Sequence, residues 1–179
     1  AVSQHRITGA MAPLSEILGD FYKSVEDLYM GHDSVGLQSG FTDLDRMLGG
    51  FQKGDLIILA ARPSMGKTSL ALSLVESASL KYGARVAFFS LEMGVEQLAQ
   101  RLVSSQTGID MKRLRVGPIY EEDLERVGFA VETLSKTRIF IDETPAISPL
   151  ELRTKARRVI SEYGLDLVVV DYLQLMTSG

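Results

Sequence analysis

A short segment of small residues with one lysine carries the clearest chemistry in the sequence. Residues 61–68 read ARPSMGKT and lie between an apolar run, DLIILA, and a helical pattern, SLALSLVESASL. Backbone N–H groups of such a loop, together with the N-terminus of the next helix, can surround phosphate oxygens. A strand, this loop and a helix in that order match the P-loop pattern G-x-x-x-x-G-K-[ST]. The segment therefore predicts a nucleoside triphosphate site.

The individual residues of this loop suggest separate roles. Gly66 has no side chain to block the phosphates, Lys67 can reach the outer phosphates, and the Thr68 hydroxyl can ligate Mg²⁺. Ala61 stands where the pattern has glycine, and alanine is small enough for the loop to form if its φ is not positive. The predicted nucleotide-binding residues of the loop are Ser64, Met65, Gly66, Lys67, Thr68 and Ser69.

Carboxylates at the ends of apolar runs are the second candidate feature. Asp171 ends the run LDLVVVD, where an oxygen ligand can hold the Mg²⁺ shell. Hydrolysis also needs a group that orients water, but the next residue is Tyr172 and not an acid. Glu92, just beyond RVAFFS, is the best candidate, although it can also be a helix-favouring acid in a first turn. Asp142 and Glu143, at the end of RIFIDE, form a similar pair, and the pattern does not rank them far below Glu92.

The elements that position these residues alternate between strands and helices. Apolar strands without polar alternation, separated by helices, indicate an α/β fold with a mainly parallel sheet covered by helices on both faces. Ser148, Pro149 and Glu151 have the types and spacing of a capped helix start. The predicted strands cover residues 55–60, 85–90, 138–142 and 165–171, and the other predicted helices cover 67–81, 95–105 and 121–136.

The N-terminal part of the chain has a different organisation. Residues 1–13 show no period and are expected to form a flexible tail, whereas residues 14–30 have the apolar stripe of an amphipathic helix. Residues 31–40, GHDSVGLQSG, predict a linker, and residues 41–179 the ATPase domain. The helix can either fold back on its own domain or dock on another subunit, since a helix beyond a linker is easily exchanged.

Composition narrows the classes of function. The chain has 179 residues, two histidines and a net charge of −4. It contains no cysteine, and this excludes disulfides and thiolate metal sites. The acidic balance argues against a nucleic-acid binder that uses a large basic surface. The basic segment MKRLR, residues 111–115, lacks interleaved aromatics and is expected to be a solvated turn or short helix. No apolar run is long enough to predict a membrane span, and the composition is compatible with the cytoplasm.

Three segments together resemble the C-terminal ATPase domain of DnaB-type replicative DNA helicases. They are GFTDLDRMLGGFQKGDLIILAARPSMGKTSLAL, FFSLEM and VVVDYLQLM, and the resemblance runs from about residue 14 to 176. It implies a RecA-like P-loop fold and a ring of six subunits with ATP and Mg²⁺ bound between neighbours. By motif, Lys67 and Thr68 would bind phosphate and Mg²⁺, Asp171 would be the Walker B acid, Glu92 the catalytic glutamate, and Arg101 a nucleotide contact.

The resemblance also implies partners. Helix 14–30 would be the linker helix that packs on the adjacent subunit of a homohexamer. Single-stranded DNA would be bound by elements largely absent from this chain, and primase and a helicase loader would meet the full-length protein. Because the family's arginine finger lies further downstream, the isolated chain is expected to hydrolyse ATP weakly. The alternatives are a RecA/RadA-like recombination or repair ATPase, a small-molecule kinase, and an assembly module that binds ATP without using its hydrolysis.

Overall fold

The computed structural model describes residues 12–30, 36–62 and 64–177, and these form parts of two compact units. The units are Ala1–Gly36 and Leu37–Gly179. Nearly all of the tail predicted over residues 1–13, and half of the linker predicted over 31–40, lie outside the described residues.

The first unit contains one described helix, α1, which covers Leu14–Tyr29. Its bounds agree closely with the helix predicted from the apolar stripe. The large apolar side chains of this stripe are exposed, with Phe21 at 63% and Leu18 at 53% of full exposure. An exposed apolar stripe of this length is typical of a surface that another structure covers.

The second unit is built on a parallel sheet of three strands. Strand β1 covers Arg85–Ser90, β2 covers Arg138–Asp142 and β3 covers Leu167–Asp171, in the order β2-β1-β3. The register pairs Ser90 with Asp171 and Phe89 with Asp142. The carboxyl ends of all three strands therefore meet at one edge of the sheet.

Helices cover both faces of this sheet, as the sequence predicts. Alternate residues of β1 point to opposite faces, so Val86 and Phe88 pack with α3 and α4, whereas Ala87 and Phe89 pack with Ile147 and α7. None of the helices in the described part of the chain is long and apolar enough to cross a membrane. The helices of this unit are α2 (Thr42–Leu48), α3 (Lys67–Tyr82), α4 (Val95–Thr107), α5 (Met111–Val116), α6 (Glu121–Ser135), α7 (Pro149–Tyr163) and a 3₁₀ turn (Leu173–Leu175).

Local sequence signals explain several helix ends. At the start of α7, the Glu151 N–H donates to the Ser148 hydroxyl at 3.3 Å, and the Ser148 N–H donates to the Glu151 carboxylate at 3.0 Å. This reciprocal pair is the predicted capping box. Helix α3 ends at Gly83, whose φ of 67° is the left-handed conformation that glycine adopts without strain. The basic segment 111–115 lies in the short helix α5.

The strand predicted over residues 55–60 is wrong for this structure. These residues belong to no strand, and Leu56 and Ile58 are 82% and 74% exposed. A strand needs a neighbour for its backbone N–H and C=O groups, but residues 55–60 pair neither with the outer edge of β2 nor with that of β3. The apolar composition of the segment predicts a strand, but strand pairing also depends on the rest of the sheet.

Candidate functional site

The loop before α3 has the backbone geometry expected of a phosphate-binding turn. Gly66 precedes the helix with a φ of 86°, and Ser64 has a φ of 63°, which is uncommon for a residue with a side chain. A Cβ placed on Gly66 would meet no atom within 4 Å. There is therefore open space beside Gly66, and the N-terminus of the 16-residue helix that follows is a place where backbone N–H groups can bind an anion.

Three residues predicted for the site come together at the carboxyl edge of the sheet. The Lys67 ammonium lies 2.8 Å from Oδ1 of Asp171, and the Thr68 hydroxyl donates to Oδ2 of the same carboxylate at 2.6 Å. Asp171 is 4% exposed, although it is the last residue of β3. The helix N-terminus and the strand end thus supply a cation, a hydroxyl and a carboxylate within one small volume.

The oxygens at this point suit a hard divalent cation. The Thr68 hydroxyl and the Asp171 carboxylate are close enough to belong to one Mg²⁺ shell, in which metal–oxygen distances are about 2.1 Å. No group of three His, Cys, Asp or Glu side chains able to hold a metal ion occurs in the part of the chain that the structure describes. A Mg²⁺ here would complete its shell with phosphate oxygens and water, as is usual for Mg²⁺ at nucleotide sites.

Glu92 lies on a turn that is tied to the same edge. The Leu91 N–H donates to the backbone carbonyl of Asp171 at 2.8 Å. The Ser90 hydroxyl donates to the Met93 carbonyl at 2.7 Å and accepts from the Met93 N–H at 3.2 Å, which closes the turn around Glu92. Glu92 itself is exposed. The turn therefore presents an exposed carboxylate beside the strand end that carries Asp171.

The other two candidate acids have structural partners. Asp142 accepts hydrogen bonds from Lys155 and from the Thr144 N–H, the latter at 3.0 Å. Burial raises the pKa of Asp142, but the bonds from Lys155 and Thr144 outweigh it, and the net pKa is below the ordinary value. Glu143 accepts from the Val95 N–H at 2.8 Å, at the first residue of α4. These contacts link β2 to α7 and α4 and hold the edge of the sheet in place.

The remaining predicted residues lie around the start of α3. Arg101, on α4, donates from a guanidinium N–H to the Ser69 hydroxyl at 3.2 Å, so these two residues are in contact. The Arg101 Nε is buried and has no hydrogen-bond partner among the described residues. Met65 is 73% exposed. The structure therefore places Arg101 against the first turn of α3.

The sequence reasoning missed one contact of Lys67. The ring of Tyr172 lies under the Lys67 ammonium, with Nζ 4.1 Å from the ring centroid. In the sequence, Tyr172 is notable only because it is not an acid. The signal that could have found it is an aromatic side chain directly after a strand-ending aspartate, opposite a loop lysine.

The loop lies at a helix N-terminus, and its lysine contacts a carboxylate at the end of a strand. This arrangement places the chain among the P-loop nucleoside triphosphatases with a parallel α/β sheet. Comparison with known proteins gives the family. The sequence profile described as DnaB-like helicase C terminal domain matches residues 36–179. The chain belongs to this family, and its fold is RecA-like.

Named relatives are consistent with this assignment. The chain is 43% identical over 176 residues to the replicative DNA helicase DnaC of Bacillus subtilis (strain 168), and 42% identical over 176 residues to the replicative DNA helicase DnaB of Geobacillus stearothermophilus. Each match covers 98% of this chain and 39% of the relative. The chain thus spans about two fifths of the length of these curated relatives. Their names support a replicative helicase and give no support to the alternative of a recombination or repair ATPase.

Solved structures agree with the sequence comparison. The ATPase domain of G40P superposes with a TM-score of 0.84 at 29% identity, covering 94% of this chain and 60% of that one. A DnaB-like replicative helicase, solved in a study of its interactions with primase, superposes with a TM-score of 0.80 at 29% identity. That match covers 95% of this chain and 41% of that one.

Proposed function

We propose that this chain is the ATP-hydrolysing motor domain of a replicative DNA helicase, which unwinds duplex DNA at the replication fork as a hexameric ring. The observation that carries the proposal is the meeting of Lys67 and Thr68 on the buried Asp171 carboxylate, at the open N-terminus of α3. Family membership supports the choice of a replicative helicase among P-loop enzymes.

Each residue of the site has a proposed role. Lys67 and the N–H groups at the start of α3 bind the outer phosphates, while Thr68 and Asp171 hold Mg²⁺, which would neutralise phosphate charge there. Glu92 orients the attacking water. Arg101 contacts the nucleotide from α4. An arginine supplied by a neighbouring subunit would stabilise the transition state, and such arginines are worth about 10³ to 10⁵ in rate. The isolated chain is therefore expected to turn over slowly.

The test separates nucleotide binding from hydrolysis. The 179-residue chain is titrated with a fluorescent ATP analogue in the presence of Mg²⁺, and single-turnover hydrolysis is followed with radiolabelled ATP. Lys67→Ala should weaken binding by about tenfold or more, because a charge-assisted bond to phosphate is lost. Glu92→Gln should keep the affinity within about twofold and lower the hydrolysis rate by about 10² to 10⁴.

A matched control distinguishes Glu92 from other acids nearby. Glu96 is an exposed acid in the first turn of α4, four residues further along. Glu96→Gln should leave both binding and hydrolysis unchanged. Equal loss of hydrolysis in the Glu96 and Glu92 variants would contradict the catalytic role of Glu92. Unchanged ATP affinity in Lys67→Ala would contradict the nucleotide site itself.

The exposed stripe of α1 supports the assembly part of the proposal. Leu18, Phe21 and Val25 are 53%, 63% and 45% exposed and lie three or four residues apart, on one side of the helix. We expect α1 to pack on a neighbouring subunit of the homohexamer. Phe21→Ser in the full-length protein should shift sedimentation from hexamer to smaller species. Glu16→Ser, on the other side of α1, serves as the control and should leave the hexamer intact.

The proposal includes the partners and location of the full-length protein. Single-stranded DNA, primase and a helicase loader are the expected partners, and the cytoplasm is the expected location. The net charge of −4 on this chain agrees with DNA contacts that are made largely by other elements. ATP hydrolysis by the full-length protein should rise when single-stranded DNA is added.

A further inference from the structure

The ammonium group of Lys67 lies between a carboxylate and the face of an aromatic ring. Its Nζ is 2.8 Å from Asp171 and 4.1 Å from the centroid of Tyr172. The side chain of Lys67 is 25% exposed, so these two neighbours replace much of its water. A cation over the face of a tyrosine ring is attracted by the ring's negative quadrupole, and the attraction grows as water is removed.

The groups around Asp171 satisfy one another in this arrangement. One carboxylate oxygen faces Lys67, the other accepts from the Thr68 hydroxyl, and the ring of Tyr172 covers the lysine. Lys67 and Thr68 are the residues proposed above to meet phosphate and Mg²⁺. Binding of a phosphate by Lys67 at the N-terminus of α3 would therefore compete with these contacts.

We propose that Tyr172 is a positioning residue for Lys67, whose ring holds the ammonium beside Asp171 and away from the phosphate position until nucleotide binds. The proposal rests on the nucleotide site proposed above. In this role Tyr172 acts through the attraction between the electrons of its ring face and the Lys67 ammonium. The ring–ammonium attraction stabilises the nucleotide-free chain, so it opposes nucleotide binding by the same free energy.

The expected size of the effect follows from the strength of such contacts. A partly exposed cation–π contact is worth about 0.5 to 1 kcal/mol. At about 1.4 kcal/mol per tenfold change, this equals a change of about 2- to 5-fold in the dissociation constant. Removing the attraction without changing the shape of the ring should tighten nucleotide binding by that factor.

The first measurement examines the nucleotide-free chain. Protons held over a ring face are shifted upfield, so the ε-methylene protons of Lys67 should be upfield in the NMR spectrum of the chain with carbon-13-labelled lysine. Lys67→Arg assigns the signal by removing it. The shift should persist in Tyr172→Phe, disappear in Tyr172→Leu, and diminish when ADP is added to the unaltered chain.

The second measurement compares two rings of nearly equal size. ADP is titrated calorimetrically into Tyr172→Phe and into Tyr172→3,4,5-trifluorophenylalanine, in which fluorine withdraws the electrons of the ring face. The fluorinated chain should bind ADP about 2- to 5-fold more tightly. The same pair of substitutions at Tyr163, whose ring packs on Phe140, serves as the control and should leave ADP affinity unchanged.

The outcomes separate this inference from the nucleotide site. Equal or weaker ADP binding by the fluorinated chain would overturn the role of Tyr172, as would the lack of an upfield Lys67 signal in the unaltered chain. Both results leave the nucleotide site standing if the unaltered chain binds ADP. If the unaltered chain binds no ADP, the nucleotide site and this inference are both overturned.

Discussion

The ion pair between Lys67 and Asp171 should stabilise the nucleotide-free fold measurably, unlike ion pairs on the surface of the chain. The two charged groups are 2.8 Å apart, and their side chains are 25% and 5% exposed. At this separation the attraction is about 1.5 kcal/mol in water and about 6 kcal/mol at an effective dielectric constant of about 20. Desolvation of both charges opposes most of the gain, so we expect a net coupling of about 1 to 3 kcal/mol.

A double-mutant cycle measures this coupling. The unaltered chain, Lys67→Met, Asp171→Asn and the double variant are unfolded in urea near neutral pH and followed by circular dichroism. Lys67→Met should lower the free energy of unfolding more than Asp171→Asn does, because it leaves a carboxylate that is 5% exposed without its cation. The coupling should persist in about 0.5 M salt, since buried pairs are weakly screened.

A second ion pair in the same chain provides the control. Lys136 and Glu132 on α6 are 2.7 Å apart, but their side chains are 73% and 68% exposed. The same cycle with Lys136→Met and Glu132→Gln should give at most about 0.5 kcal/mol, because exposed pairs gain little. A Lys67–Asp171 coupling no larger than this control would refute the reasoning that burial makes the pair strong.

Three further predictions concern stability and surface chemistry. Burial raises the pKa of Asp45, but hydrogen bonds from the Ser39 N–H and hydroxyl, at 2.8 and 2.6 Å, outweigh it, and the pKa is lowered. The ionised form therefore contributes its full stability above the unfolded pKa of about 3.9, and this contribution is lost as pH falls from there through the lower folded pKa. In urea titrations at several pH values, Asp45→Asn should make the free energy of unfolding depend less on pH over this range. Leu98→Ala should lower the free energy of unfolding by about 2 to 5 kcal/mol, because Leu98 is fully buried; a cost below about 1 kcal/mol would show a loosely packed core. Replacing Leu56 and Ile58, 82% and 74% exposed, with serine should reduce binding of an apolar dye with little change in stability; unchanged dye binding would count against their exposure.

Local signals in the sequence were sufficient for most of the second unit. The apolar runs that became β1, β2 and β3 lack polar alternation, and the helices between them begin and end at residues with known capping preferences, such as Ser148 and Gly83. These signals work because they depend on a few neighbouring residues. Helix α2, only seven residues long, was missed because it contains too few turns to show a period.

The residue types of the candidate site were also visible in the sequence. The loop with Gly66, Lys67 and Thr68 is recognisable because phosphate binding requires small residues and a cation at a helix start. Asp171 could be placed at the same edge, since parallel strands end together. The sequence could not show that Asp142 and Glu143, unlike Glu92, have structural partners, because those partners, Lys155 and Val95, lie on other elements.

The sequence by itself thus determined the family, the three strands of the sheet with most of the helices, and the loop proposed to bind phosphate. Only the tertiary structure decided that residues 55–60 pair with no strand, that Lys67 meets Asp171 at 2.8 Å, and that Tyr172 covers the lysine. The physical reason is the distance along the chain between the residues that interact. Capping, turn conformation and periodicity are properties of a few consecutive residues. Strand pairing, burial of charge and ring contacts depend on residues roughly fifty to a hundred positions apart in the chain.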